Sequence, residues 1–288
     1  KKEREKIFNA ALAGLLHDVG KIGQRAKDDP WNPPDDVRDG EQPVHAAWSI
    51  RFIQSCVPKK YQVVVAGGYH HRPERSPAQD KAMSELVALA DKLSAGERSD
   101  LTEKYKSKNP PQQMVSIFDR INFGEQVEQA QNYLPLKPLT LNEQVIFPSS
   151  AQPKEKQKDG YERLRFDLEQ AAKCEIADPE TYLEYLLNTM LRLTWCVPSA
   201  YYHSVPDVSL YDHSRITAAL AACFVSLDND TRNATLDAVE SAFKSDGKVN
   251  DDARMSREIA LLVGGDFSGI QSFIYTITSK GAASALRG

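Results

Sequence analysis

The chain has 288 residues, with 36 Lys plus Arg against 40 Asp plus Glu and a formal net charge of −4. That length suits about two domains at ~150 residues each. With 41% hydrophobic and 26% charged residues, the composition excludes collagen-like, disordered and membrane-spanning classes. The acidic balance excludes a nucleic-acid binder that is basic on every face, but not one with a local basic groove.

In chain order, Phe8, Leu12, Leu15, Leu16 and Val19 have the spacing of an amphipathic helix over residues 4–19, which Gly20 is expected to end. Asp28–Gly40, with three prolines, is a loop. Further helices are predicted over Val44–Cys56 and near Tyr61–Gly67, the latter running into Tyr69-His70-His71-Arg72-Pro73. Ser76-Pro77 is predicted to cap the next helix, which would bury Met83, Leu86, Val87, Ala90 and Leu93 and close at Gly96. Residues 101–160 read as an irregular linker or small insertion, rich in Pro, Lys and Gln, with β-like pieces such as Gln144–Phe147. Helical periodicity returns at Leu164–Ala172, Tyr182–Trp195, Asp212–Leu227 and Thr231–Phe243. Ile259–Val263 has the length of a strand, followed by Gly264-Gly265-Asp266 and a helical pattern from Ile270.

The fold class is therefore mainly α, with the start of an α+β domain at the end. The organisation predicted is a core over 1–100, the insertion over 101–160, a helical region over 161–255 completing the core, and a second domain beginning at 256–288. Because the sequence opens at Lys1 and stops inside a helical pattern, it is expected to be a piece of a longer polypeptide. The longest nearly uncharged apolar run, Ile216–Leu227, is 12 residues, too short to span a bilayer, and no export signal is evident. Cys56, Cys174, Cys196 and Cys223 form no C-x-x-C pair and read as buried thiols in a reducing, cytoplasmic compartment.

Chemistry concentrates in the histidines and two aspartates. His17-Asp18-Val19-Gly20-Lys21 closes the first helix, and adjacent residues there point about 100° apart, so imidazole and carboxylate can straddle one ion. The Asp18 carboxylate, with two oxygens, can bridge two ions. His45 opens the second helix, His70 and His71 share a loop, and Asp91 lies beside an apolar stripe, where a carboxylate without a partner would be costly. Imidazole plus carboxylate without thiolate suits Mn, Fe, Co, Ni or Zn at a site with open positions. A metal pair there would activate water and hold both sides of an in-line attack on phosphorus. Each piece alone is equally compatible with a core histidine or an exposed loop; their order carries the reading.

His-Asp-x-Gly-Lys, then His, then His-His, then a helical Ala-Asp resembles the HD superfamily of metal-dependent phosphohydrolases, in its variants with extra histidines. The further His that usually precedes the pair is absent from residues 1–16. The helix around Asp212-His213-Ser214, with His213 sharing a face with Ile216, Leu220 and Phe224, looks like that missing element, as in a circularly permuted HD domain. A core histidine on an ordinary helix is the alternative for His213; His203 is assigned to structure. Joined to Gly264–Tyr275, and with Asp91–Arg98 and Asp207–Ala219 fitting as well, the chain resembles the large signature subunit of type III CRISPR effector complexes, in its Csm (III-A) branch.

The resemblance implies a metal-dependent nuclease on single-stranded DNA, followed by the first strand and helix of a ferredoxin-like palm domain. It implies catalytic His17, Asp18 and Lys21, and metal ligands His17, Asp18, His45, His70, His71, Asp91 and His213. One or two divalent ions are expected, with Mn, Ni or Co first. Lys21 is assigned a phosphate oxygen, with a solvated lysine as the alternative, and Trp31, Trp48 and Tyr69 are candidate stacking platforms for a single strand, with a core position as the equal alternative for Trp48. Guide RNA, target RNA and other Csm subunits are the implied partners, with no membrane. In that family a Gly-Gly-Asp-Asp motif makes cyclic oligoadenylates from ATP; here Phe267 follows Gly264-Gly265-Asp266, so no synthesis is expected of this segment. Asp266, Ser268 and Gly269 stand as a nucleotide contact or simply a capped turn. The other functional readings are a phosphodiesterase on a small nucleotide and a non-catalytic scaffold.

Overall fold

The computed structural model describes residues 2–26, 44–95, 111–121, 131–201, 205–244, 258–261 and 263–265. It divides into two compact units, 1–257 and 258–288. Trp31, His203, Asp266, Ser268, Gly269 and the helix predicted from Ile270 lie outside the described residues.

The first unit is built around α1 (Lys2–Leu16), whose residues from Ala10 to Leu16 are all buried. Their small size, Ala10, Ala11, Ala13 and Gly14, lets other elements approach closely on several sides. Packed on α1 are the 3₁₀ segment Lys59–Tyr69, α4 (Lys81–Ser94), α6 (Pro179–Thr194) and α7 (Leu210–Phe224). A short helix, α2 (Gly20–Ala26), packs on α3 (Val44–Cys56) and α5 (Lys154–Ala172). The last helix, α8 (Asn229–Lys244), lies against α4, tied by Lys92–Glu240 at 2.5 Å and Arg232–Glu85 at 3.3 Å.

Local chemistry sets the helix starts. Asp178 accepts from Thr181 N at 2.8 Å ahead of Pro179, and Ser209 accepts from Asp212 N at 2.9 Å while its hydroxyl donates back to the Asp212 carboxylate. Both are side-chain caps on otherwise orphaned backbone N–H groups. The cap predicted at Ser76-Pro77 is not used. A turn closed by Asp80 N→Pro77 O at 2.8 Å intervenes, and α4 begins at Lys81.

Other expectations also change. Gly20 does not end the helical region: α1 stops at Leu16, residues 17–19 form a turn, and Gly20 starts α2. Gln144–Phe147 is not β-like, because Asn142 caps a short helix over Glu143–Ile146. α5 starts at Lys154, inside the predicted insertion, because its polar first turns hide the buried Gln157, Tyr161, Leu164 and Leu168. The helical segment expected near Tyr61–Gly67 is present, with 3₁₀ geometry over Lys59–Tyr69.

Residues 111–121 and 131–152 include two isolated bridges, Val115 with Tyr133 and Tyr133 with Ser149, beside a cluster of Val115, Tyr133 and Val205. Behind it, the buried Arg25 guanidinium donates to Pro198 O at 2.7 Å and lies over the rings of Tyr161 and Tyr201. In the second unit, no strand is formed among the described residues 258–261 and 263–265, and Leu262 of the expected Ile259–Val263 strand lies outside them. Two of the four cysteines are buried, Cys56 and Cys196, but Cys174 and Cys223 are exposed, contrary to expectation. Cys174 lies beyond the end of α5, and Cys223 is on the outer face of α7. No helix among the described residues is long and apolar enough to cross a membrane.

Candidate metal centre

Two close helix approaches assemble the site. A β-carbon on Gly14 would stand 2.8 Å from Ala218 Cα, so only glycine lets α1 and α7 meet there. That contact brings His213 beside His17, their rings 5.2 Å apart. A β-carbon on Gly67 would stand 2.5 Å from Ala13 O, and this approach sets His70 edge-on to His17 at 4.7 Å. Gly20 donates its N–H to Ser49 Oγ at 2.9 Å, holding the first turn of α3, and with it His45, against the His17-Asp18 turn.

The result is two groups of side chains that share Asp18. One is His17, Asp18, Asp91 and His213, all buried; the other is Asp18, His45, His70 and His71, with His71 exposed. In the inner group His17 Nε2 lies 3.4 Å from both Asp18 Oδ2 and Asp91 Oδ1, and His213 Nε2 lies 3.1 Å from Asp91 Oδ1 and 3.5 Å from Asp18 Oδ2. In the outer group Asp18 Oδ1 is 3.4 Å from His45 Nε2 and 3.6 Å from His70 Nε2, and His45 Nε2 is 2.8 Å from His71 Nε2. Two ligands about 2.1 Å from one ion stand about 3.0 Å apart at a right angle and about 3.4 Å at the tetrahedral angle. Most of these separations match such edges.

Hydrogen bonding points the same way. His17 Nδ1 donates to Gly14 O at 2.7 Å and His70 Nδ1 to Gly67 O at 2.8 Å, which leaves each Nε2 facing inward. His17 Nε2, His70 Nε2 and Asp18 Oδ1 are buried with no hydrogen-bond partner. Three converging orphaned atoms are a costly arrangement for a plain core and fit a divalent cation.

The electrostatics follow from burial and the two carboxylates. Burial alone would lower the His17 pKa, but Asp18 and Asp91 outweigh it and raise it to about 9. Burial likewise works against ionised Asp18 and Asp91, yet Lys21 and His17 beside the first, and the His17 and His213 imidazoles beside the second, hold both well below the usual range. His45 and His70 are lowered to about 3, chiefly by burial.

All seven residues expected as ligands thus come together. Lys21 meets its expectation differently: it is buried, and its ammonium donates to Asp18 Oδ2. Trp48 is buried in the core, at 6% exposure, and cannot serve as a stacking platform. On α7 the buried face carries His213, Ser214, Thr217, Ala218, Ala221 and Phe224, while Ile216 is 44% exposed, because the helix presents its small residues to α1. Two polar residues beside His213, Ser94 and Thr217, lie in segments that fit the resemblance, Asp91–Arg98 and Asp207–Ala219, but nothing in the sequence assigned either one a role. A groove of about 890 Å³ lined by Arg4, Phe8, Lys60 and Tyr61 contains none of these ligands.

Comparison with known proteins gives consistent relatives. The family described as Csm1 subunit domain B matches residues 259–288. A protein of Methanocaldococcus jannaschii named CRISPR system single-strand-specific deoxyribonuclease Cas10/Csm1 (subtype III-A) is 30% identical, over 96% of this chain and 36% of its own length. Its namesake from Mycobacterium tuberculosis is 28% identical, over 98% and 35%. The crystal structure of Csm1 from T. onnurineus is 22% identical, covering 75% of this chain and 28% of that one, with a TM-score of 0.47. The chain spans about a third of the length of the curated relatives it matches.

Proposed function

We propose, for a chain whose relatives are Csm1 large subunits of subtype III-A CRISPR systems, that the two groups sharing Asp18 form the metal centre of an HD-type nuclease that hydrolyses single-stranded DNA. The observation that carries this reading is the pair of groups around Asp18 with its three orphaned inward-facing atoms. The relatives' names, single-strand-specific deoxyribonuclease, support the choice of substrate.

His17, Asp91 and His213 would hold one ion and His45, His70 and His71 another, with Asp18 contributing one oxygen to each; Mn, Ni or Co suits these donors. Bound divalent ions would supply Lewis acidity for a phosphodiester and for water. The chain's own residues do the rest. The Gly14 and Gly67 carbonyls fix the ring orientation of His17 and His70, and Lys21 keeps Asp18 ionised and oriented. The inner group is walled by α1, α4 and α7, so the exposed His71, with His45 beside it, marks the side at which a strand enters. Assembly with guide RNA, target RNA and other Csm subunits, and use of ATP by the longer protein, belong to the same proposal.

The test is cleavage of end-labelled single-stranded and duplex DNA by metal-stripped protein, titrated with Mn, Ni, Co, Mg and Zn, beside His17→Ala/Asp18→Ala. Metal-dependent cutting of the single strand that disappears in the double variant is the expected result. Cutting that survives in that variant overturns the assignment. Activity confined to small cyclic nucleotides would instead make the centre a nucleotide phosphodiesterase.

A further inference from the structure

The three buried histidines of the site are anchored in two different ways. His17 follows the end of α1, and His70 follows the 3₁₀ segment, so each Nδ1 reaches a backbone carbonyl three residues upstream, Gly14 O and Gly67 O. Gly14 O is among the last carbonyls of α1, and Gly67 O accepts both the backbone N–H of His70, at 3.3 Å, and its ring. His213 lies in the first turn of α7, where its own backbone N–H is bonded to Ser209 O. Its ring Nδ1 meets a side chain of another helix: Ser94 Oγ, at the end of α4 and one turn beyond Asp91, stands 3.3 Å away.

Ser94 is itself held in place. Its Oγ is 2.9 Å from Asp91 O and 2.7 Å from Thr217 Oγ1, and Thr217 Oγ1 is 2.9 Å from His213 O. With the Nδ1 contact this makes four contacts, and the two hydroxyls bring two protons. An Nδ1–H on His213 fills a third contact, whereas an Nε2–H fills a fifth, to Asp91 Oδ1 at 3.1 Å. An ion on Nε2 would take the place of that proton, and the one left at Nδ1 would then have Ser94 Oγ as its acceptor.

We propose that Ser94, steadied by Thr217, is a positioning residue that fixes His213 as an Nε2 ligand of the inner ion. This rests on the metal-centre reading above. Without the Ser94 hydroxyl, the Nδ1–H tautomer loses this contact, and the tautomer that donates from Nε2 to Asp91 Oδ1 gains. That change withdraws one ligand and occupies a second. Hydrogen-bond partners of ligating histidines are worth about 10–100-fold in metal affinity when removed.

The experiment is calorimetric titration of the metal-stripped chain with Mn, supplemented by proton–nitrogen NMR of the Zn-loaded chain. Ser94→Ala should weaken one of two binding steps about 10–100-fold and leave the other unchanged. Ser94→Thr should restore it. Thr217→Val, close to isosteric, should weaken the same step by less. Against a His213→Gln background, Ser94→Ala should add nothing, which a general structural defect would not reproduce. The NMR should show a slowly exchanging His213 Nδ1 proton in the parent chain that is lost in Ser94→Ala. If His213→Gln weakens a step but Ser94→Ala and Thr217→Val do not, the Ser94 proposal is overturned while the metal centre stands. If His213→Gln leaves both steps unchanged, His213 is no ligand and both fall.

Discussion

A β-carbon placed on Gly20 would lie 2.1 Å from the carbonyl oxygen of His45. The next nearest atoms, Ser49 N at 2.3 Å and Trp48 C at 2.7 Å, are also backbone, so nothing flexible can give way. Gly20→Ala must therefore push α3 from α2 and carry His45 away from Asp18. Overpacking of this kind costs about 3 kcal/mol, and the outer group should lose metal affinity with it. Urea unfolding and Mn titration check both. Gly264→Ala, with nothing within 4 Å, should be close to neutral.

Asp18→Asn keeps the shape but removes the shared charge, so both metal-binding steps and the nuclease activity should be lost. In metal-free protein it also leaves the buried Lys21 ammonium without its carboxylate, which should cost about 3 kcal/mol. Lys21→Met added to Asp18→Asn should recover part of that stability. A double variant less stable than the single one would show that Lys21 is held by something other than this pair.

Metal-free stability should peak near pH 6.5. His45 and His70 titrate at about 3 in the folded chain, so between pH 6.5 and 3 the unfolded chain binds protons that the folded one refuses. Stability therefore falls on acidification through that window. His17 acts oppositely: with its pKa raised to about 9, the folded chain keeps a proton that the unfolded chain loses above about 6.5. Its contribution is full below 6.5 and is lost as pH rises through 9. Urea midpoints at pH 5, 6.5 and 8.5 in EDTA test this, and a steady rise from 6.5 to 8.5 would contradict it.

Each divalent ion that binds only the folded chain should stabilise it by about 2.7 kcal/mol at a concentration 100 times its dissociation constant. For a unit of this size that is a shift of about 5–10 °C in Tm. Calorimetric scans with and without Mn measure it. The shift should vanish in Asp18→Asn and be roughly halved when only one group is disabled, as in His71→Ala.

Much of the site was legible because its ligands are rare residue types in a fixed order, and six of the seven lie within 75 residues of His17. His213 was legible through the polarity of its helix, although the face was misjudged: Ile216 points outward because α7 meets α1 with Thr217, Ala218 and Ala221. Gly20 looked like a stop, since glycine ends helices more often than it admits a neighbouring backbone. Gln144–Phe147 looked like a strand because four residues have no period of their own, and the Asn142 cap decided the outcome. Ser94 and Thr217 stayed hidden, because a hydroxyl beside a metal ligand looks like any other at a helix end.

The two groups also differ in how much of the chain each requires. Asp18, His45, His70 and His71 lie within the first 71 residues, whereas Asp91 meets His213 across 122 positions of sequence. Closing so long a loop carries an entropy cost that local contacts do not repay early. During synthesis the outer group can form while α7 is still inside the ribosome, and the inner one cannot. A nascent chain would therefore gather the outer group first and complete the inner one only once residues through Phe224 have emerged and docked, so under the proposed function cleavage would wait on α7.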